Sequence, residues 1–273
     1  MSGARLPDGN NLIRAGLVLL TAGLGEYRTE QVLHAAAAAE LIRAATLTHD
    51  DLIDPAERRR GDAATNDWDN GVVLMVGDYL FALAAGEMAL SPDARVISFY
   101  SEAVQQIAES ALTPVTQLQP ADEAYEAYIT RATGASAALL AAACRSGAAC
   151  GGLDEAAITA AGVYGRNLGL AAHISAEIRA LEQTPDSARA IISLPLIYAA
   201  AHSDAERLLA ALDSADPVEQ QWLATSIHNH GIGPARAEAR RLTDTARATL
   251  DVLPDGETRR LLADLAQQGI ARL

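Results

Sequence analysis

Residues 49–61, which read HDDLIDPAERRRG, place a cluster of carboxylates and then a cluster of arginines directly after a long apolar stretch. On a helix, Asp50 and Asp54 lie one turn apart on the same face, with Asp51 beside them. Carboxylates crowded at one helix end repel each other and shift their own pKa values unless a cation lies between them. The stretch therefore predicts a helix that ends at a site of strong negative charge.

The chemistry of these side chains favours a magnesium ion and a phosphate group. Mg²⁺ prefers hard oxygen ligands, keeps several waters and takes further ligands from substrate phosphates. Arg58, Arg59 and Arg60 come next in the chain, and guanidinium groups bind phosphate oxygens in pairs. We interpret residues 49–61 as a magnesium–diphosphate site, while a solvated surface corner is the alternative interpretation of the same charges.

The composition favours one helical domain. No linker rich in Pro, Gly or Ser divides residues 1–273, so we predict a single domain over this range. Hydrophobic residues make up 50% of the chain and aromatic residues only 4%, and alanine dominates, which suits closely packed helices. The net charge of −14 argues against nucleic acid and anionic membranes as partners, because both require a basic face.

Three further features predict a cytoplasmic protein without a membrane span. The N-terminus lacks a basic and then apolar signal pattern. The longest unbroken apolar run, Ala137 to Cys144, is far too short to cross a bilayer. Cys144 and Cys150 do not face each other well on a helix and are predicted to be reduced core thiols.

The motif Asp50-Asp51-Leu52-Ile53-Asp54, followed after four residues by Arg59-Arg60-Gly61, resembles the first aspartate-rich motif of isoprenyl diphosphate synthases. Residues 40–49, Gly77-Asp78-Tyr79-Leu80 and residues 193–198 also resemble segments of that family, so the resemblance covers nearly the whole chain. It implies an all-α bundle around a deep apolar cavity whose mouth carries the metal ions. Asp78, inside an apolar helix, is expected to pair with an arginine.

The same resemblance implies a prenyltransferase. The family removes diphosphate from an allylic prenyl diphosphate with three Mg²⁺ ions, and isopentenyl diphosphate captures the allyl cation. By this resemblance Asp50, Asp51 and Asp54 carry the chemistry, with Asp50 and Asp54 as metal ligands. Arg59 and Arg60 are then ligands of the diphosphate.

The segments that bind the second substrate depart from the family pattern. The family has a Gly-Lys-Arg-Leu-Arg-Pro segment that binds the second diphosphate, and only Arg14 remains of it here. Arg43 stands where the family has a histidine that helps to hold isopentenyl diphosphate, and it is either a phosphate ligand or a surface arginine. A Lys-Thr pair that reaches the allylic diphosphate is replaced by Ala135-Ser136.

The second aspartate-rich motif is degenerate. Residues 175–180 read SAEIRA where the family has DDxxD, so two of three carboxylates are alanine and the third is Glu177. His173 lies one turn before Glu177. The pair is able to hold a metal ion, with Glu177 as the candidate ligand, but an ordinary hydrogen-bonded couple is the alternative interpretation.

The family resemblance also implies where the cavity floor lies. In the family, side chains one to three turns before DDxxD form this floor, and each turn of about 5.4 Å corresponds to roughly one prenyl unit. Thr46 and Ala45 are small here, and Ile42 gives only partial closure. Phe81 on the opposite helix is a further candidate for the floor. We therefore expect acceptance of chains of C15 or longer.

Three functions remain open at this point. The chain is an active prenyltransferase, a non-catalytic or regulatory subunit that works with an intact homologue, or a class I terpene synthase-like enzyme that uses one prenyl diphosphate. The scarcity of aromatic residues argues against a cyclase, because cyclases hold cations against aromatic rings. A homodimer, or a heterodimer with an intact homologue, is predicted through the helices at 72–88 and 93–113.

Overall fold

The alanine-rich stretches fold into helices that pack around one long central helix. The computed structural model describes residues 12–53, 70–183 and 192–272, and these residues form helices and connecting turns without any strand. The helices are α1 Ile13–Ala22, α2 Thr29–Ile53, α3 Asn70–Ala89, α4 Arg95–Leu112, α5 Ala121–Ala132, α6 Ala138–Cys150, α7 Glu155–Gln183, α8 Leu194–Ala199, α9 Ala205–Asp213, α10 Pro217–His230, α11 Ile232–Thr249 and α12 Glu257–Arg272. The predicted all-α class is confirmed.

Helix α7 joins two apolar clusters of the core. Its first half contributes Tyr164 and Leu168 to a cluster that also contains side chains from α1, α2, α4, α6 and α12. Its second half contributes Leu170 and Ile174 to a cluster built with α5, α8 and α9 to α11. The end of α7 at residues 173–183 is therefore held between the helices of the second cluster.

Buried tyrosines connect the helices through hydrogen bonds to main-chain carbonyl groups. The Tyr100 hydroxyl on α4 donates to the carbonyl of Ala35 on α2 at 2.8 Å. The Tyr164 hydroxyl on α7 donates to the carbonyl of Leu262 on α12 at 2.7 Å. Because a buried hydroxyl without a partner is costly, these bonds fix the relative rotation of the helices as well as their separation.

The helical stretch over residues 121–150 is interrupted near its middle. A π-helical segment, Thr133–Ala137, separates α5 from α6. Such a segment adds one residue to a turn and redirects the side chains that follow it. It coincides with Ala135-Ser136, the positions at which the family carries its Lys-Thr pair.

Both cysteines are free thiols, as predicted. Burial raises the pKa of Cys144, and it raises the pKa of Cys150 to about 11. Both side chains are therefore protonated near neutral pH and are poor nucleophiles.

Helix α3 exposes an apolar surface. Among the described residues it is the helix that is long and apolar enough to cross a membrane by length and composition, and only 17% of its most apolar window is buried. Its buried residues are Val73, Gly77 and Ala84. A second side exposes an apolar stripe at the helical spacing of three and four residues. The stripe consists of Val72, Met75, Tyr79 and Leu83.

We predict that the apolar stripe of α3 pairs with a second subunit. Apolar residues in a single stripe suit a partner helix, whereas Asp78 and Glu87 interrupt the rest of the surface. Sedimentation velocity at micromolar concentration should show a dimer, and Met75→Glu with Leu83→Glu should shift it to the monomer. Val218→Glu, at an exposed apolar side chain of α10, is the control and should leave the dimer intact. A wild-type chain that is monomeric both alone and with candidate partners would contradict this interface.

Candidate functional site

The first aspartate-rich motif lies at the end of α2. Asp50 is exposed on the last described turn of this helix, and Asp51 follows it in the chain. Asp54, Arg59 and Arg60 lie outside the described residues, so their roles stay predictions. Residues 12–53, 70–183 and 192–272 contain no group of three or more His, Cys, Asp or Glu side chains that could hold a metal ion.

Arg43 lies two turns before Asp50 on α2. Burial lowers the pKa of Arg43, and the charges of Asp50 and Glu40 partly offset this effect. Its Nε atom is buried and has no hydrogen-bond partner. An inaccessible cationic donor without a partner is costly, so this side chain does not behave as an ordinary surface arginine.

Arg14 on α1 forms a cluster with Glu40 and Arg43. The Arg14 side chain is only 11% exposed, and its Nη1 atom lies 3.6 Å from Oε2 of Glu40. The other oxygen of Glu40, Oε1, accepts a hydrogen bond from the Ala15 amide at 2.9 Å. The Nε and Nη1 atoms of Arg14 have no hydrogen-bond partner. Burial, together with repulsion from Arg43, lowers the pKa of Arg14 to about 10.

The cluster therefore combines two buried guanidinium groups with one carboxylate. Three of its buried nitrogen atoms have no hydrogen-bond partner. Such an arrangement can bind an anion with several oxygen atoms, because guanidinium groups match phosphate geometry. The structure thus brings together Arg14 and Arg43, two predicted diphosphate ligands that lie on separate segments of the sequence.

A histidine that the sequence analysis did not assign joins α2 to α3. Nε2 of His49 donates to the carbonyl of Leu74 at 3.2 Å and lies 3.5 Å from Oδ1 of Asp78. A Cβ atom at Gly77 would lie 2.1 Å from the His49 ring, so a larger residue there would displace this ring from its present position. Among the described residues, the ion-pair partner of Asp78 is His49 rather than the expected arginine, and the Asp78 side chain is 59% exposed.

The predicted floor residues lie in the interior next to this histidine. Ile42 and Ala45 are fully buried, and Thr46 is nearly so. The Thr46 hydroxyl is satisfied by donating to the carbonyl of Arg43 at 2.9 Å. Phe81 is partly buried, and its ring lies 5.7 Å from the His49 ring. Their role as a cavity floor stays a prediction.

Glu177, the candidate metal ligand on α7, is already engaged by protein groups. Its Oε2 atom accepts hydrogen bonds from the Tyr128 hydroxyl at 2.8 Å and from the Leu194 amide at 3.2 Å. Its Oε1 atom lies 3.4 Å from Nε2 of His173 and 3.7 Å from Nη2 of Arg131. Burial and then the charge of Glu177 raise the pKa of Tyr128. These contacts favour a structural role for Glu177 over a metal ligand, although its hydrogen bonds come from Tyr128 and Leu194 and not from Nε2 of His173, which has no hydrogen-bond partner.

The π-helical segment forms a hydrogen bond with α7 close to Glu177. Ser136 lies in this segment, and its Oγ atom forms a hydrogen bond with Nδ1 of His173 at 2.9 Å. The two alanines that replace aspartates, Ala176 and Ala180, are exposed on α7. At the positions of the two missing aspartates, this face of α7 therefore presents methyl groups, which cannot bind a metal ion. The remaining carboxylate, that of Glu177, is engaged by protein groups.

Comparisons with known proteins agree with the fold and the motifs. The family model for polyprenyl synthetases matches residues 6–226. A heptaprenyl diphosphate synthase component 2 from Geobacillus stearothermophilus is 30% identical over 96% of this chain and 85% of its own length. A dimethylallyltranstransferase from Mycobacterium tuberculosis is 29% identical over 88% of this chain and 77% of its own length.

Solved structures give the same result. The crystal structure of a decaprenyl diphosphate synthase from Rhodobacter capsulatus superposes with a TM-score of 0.84 at 32% identity, covering 96% of this chain and 85% of that one. The all-α isoprenoid synthase fold and the family resemblance are therefore confirmed. The chain belongs to the polyprenyl synthetase family and is of the prenyltransferase type.

Proposed function

We propose that this chain binds an allylic prenyl diphosphate through Mg²⁺ at the end of α2 and condenses it with isopentenyl diphosphate. The observation that carries the proposal is the buried cluster of Arg14 and Arg43, whose nitrogen atoms lack acceptors. In this proposal the cluster holds the diphosphate of isopentenyl diphosphate. Two positively charged groups in a site with restricted water access interact strongly with a multiply charged anion.

The residues at the end of α2 fit a magnesium ion by their chemistry. Asp50 presents a carboxylate there, and Asp51 and Asp54 supply further hard oxygen donors in the sequence. When bound, Mg²⁺ supplies positive charge that stabilises a departing diphosphate. The donor set on α7 does not fit the same ion, because Ala176 and Ala180 have no ligand atoms and Glu177 is engaged.

The other residues of the site position the substrates and exclude water. The Arg14 and Arg43 side chains orient isopentenyl diphosphate by its charged end. Ile42 and Ala45 lie beside Arg43 in the apolar interior of α2, and in this proposal apolar side chains of this kind keep water away from a carbocation. Because these positions on α2 are not aromatic, the proposal includes acceptance of allylic chains of C15 or longer.

We expect Arg43→Met to weaken binding without weakening the fold. The substitution removes a guanidinium that burial disfavours, so the melting temperature should stay constant or rise, as replacement of buried charges by apolar side chains often shows. The affinity for isopentenyl diphosphate, measured by calorimetry, should fall about tenfold, which corresponds to roughly 1.4 kcal/mol. The control is Arg240→Met, because Arg240 is an exposed arginine on α11. Unchanged affinity in Arg43→Met would contradict the proposed second-substrate site.

A second candidate is a subunit that reaches full activity only beside a motif-complete homologue. The alanines at 176 and 180 favour it, and the Geobacillus relative is by its name one component of a synthase. An assay with C5 to C20 allylic diphosphates distinguishes the candidates. Slow turnover by the isolated chain that rises sharply when a motif-complete homologue is added supports the subunit, whereas rapid turnover by the chain alone supports the independent enzyme.

A further inference from the structure

The charges around Glu177 differ from those of a metal site. Arg131 lies on α5 and His173 on α7, and both direct nitrogen atoms toward Oε1 of Glu177, at 3.7 Å and 3.4 Å. A guanidinium at this distance disfavours a divalent cation on the same carboxylate, because the two positive charges repel each other. A guanidinium and an imidazole therefore occupy the surroundings of the one carboxylate that the degenerate motif retains.

Arg131 and Glu177 also bind the main chain of the segment that leads into α8. Arg131 donates from Nη2 to the carbonyl of Ile192 at 3.0 Å, and Glu177 accepts from the amide of Leu194 at 3.2 Å. The Tyr128 hydroxyl, fully buried on α5, completes the set with its bond to Glu177 at 2.8 Å. The group thus links α5, α7 and the start of α8 with protein atoms alone.

We propose that this group, formed by Tyr128, Arg131, His173 and Glu177, replaces the metal ions of the second aspartate-rich motif, so that the chain binds diphosphate with metal only at the end of α2. The inference rests on the proposed function, since it concerns the opposite wall of the same site. In place of ions that arrive with the substrate, α7 is held by fixed charges that are present before any ligand binds. The wall is preorganised and independent of Mg²⁺.

Thermal unfolding of the whole chain, with and without Mg²⁺ and inorganic diphosphate, tests the structural part. Glu177→Gln should lower the melting temperature by about 5 °C in both conditions, because it leaves the partly buried Arg131 without its counter-charge and weakens the acceptor of the buried Tyr128 hydroxyl. Tyr128→Phe removes one donor and should cause a smaller shift in the same direction. The control is Glu182→Gln on the same helix, where an exposed pair with Arg236 contributes little. A Glu177→Gln melting temperature equal to that of the wild type overturns the proposal.

Metal counting tests the ligand part. Equilibrium dialysis of Mg²⁺ with inorganic diphosphate should give fewer than three ions per chain, and Glu177→Gln should leave the affinity for the metal–diphosphate complex within about twofold of the wild type. Three ions per chain, or a loss in Glu177→Gln as large as that in Asp50→Asn, would overturn the inference. If Asp50→Asn itself causes no loss, the proposed function fails instead, so the two failures are distinguishable.

Discussion

The double substitution of Asp50 and Asp54 by alanine is expected to remove Mg²⁺-dependent binding of an allylic diphosphate, with a loss of at least about 100-fold in affinity, or roughly 2.7 kcal/mol. The reason is the donor chemistry, since Mg²⁺ between diphosphate and protein requires hard oxygen ligands on the protein side. Calorimetry with a C15 allylic diphosphate, with Mg²⁺ and with excess chelator, measures the effect. The wild type should bind tightly only when the metal is present.

Two comparisons sharpen this experiment. Asp244→Ala removes an exposed carboxylate from α11 and should leave binding unchanged, which excludes a general effect of net charge. The double variant should retain the affinity for isopentenyl diphosphate, because Arg14 and Arg43 bind that substrate without the metal in our proposal. Equal metal-dependent binding by the double variant and the wild type would refute the assignment of the first motif.

Replacement of Gly147 by alanine is expected to destabilise the fold by about 3 kcal/mol. A Cβ atom at this position on α6 would lie 2.2 Å from the carbonyl oxygen of Val18 and 2.1 Å from Oγ1 of Thr21, both on α1. Because Val18 offers main-chain atoms, relief requires that α1 move away from α6. Since α1 also carries Arg14, the same movement should weaken the binding of isopentenyl diphosphate.

Chemical denaturation of Gly147→Ala and Gly16→Ala measures this effect against a matched control. A Cβ atom at Gly16 on α1 meets nothing within 4 Å, so alanine there should stabilise the helix by about 0.5–1 kcal/mol. If the two variants change the free energy of unfolding equally, the steric explanation is wrong.

Local sequence patterns predicted the helices well. The helix that runs into Asp50 and Asp51 and the apolar helix after it both occur where the periodicity places them. These features depend on neighbours within one or two turns, which the sequence displays directly. The π-helical segment was not predicted, because a single extra residue in a turn leaves no distinct local pattern.

Long-range partners were the part that the sequence could not supply. Nothing in the chain near Glu177 indicates that Tyr128 and Leu194 will saturate one of its oxygen atoms, since these residues come from α5 and the start of α8. The contact between His49 and Asp78 and the contact between Glu40 and Arg14 also arise from helix packing. A histidine or glutamate shows its partner only after the helices have been brought together.

The sequence by itself therefore determined the helical class, the family resemblance and the carboxylate chemistry at the end of α2, because each resides in a contiguous pattern of residue types. Only the tertiary structure decided that Arg14 and Arg43 share one buried cluster and that Glu177 belongs to a protein network. The physical reason is that burial and charge pairing are set by distances between helices. Those distances arise from packing across α1, α2, α5 and α7, which no single segment of the chain encodes.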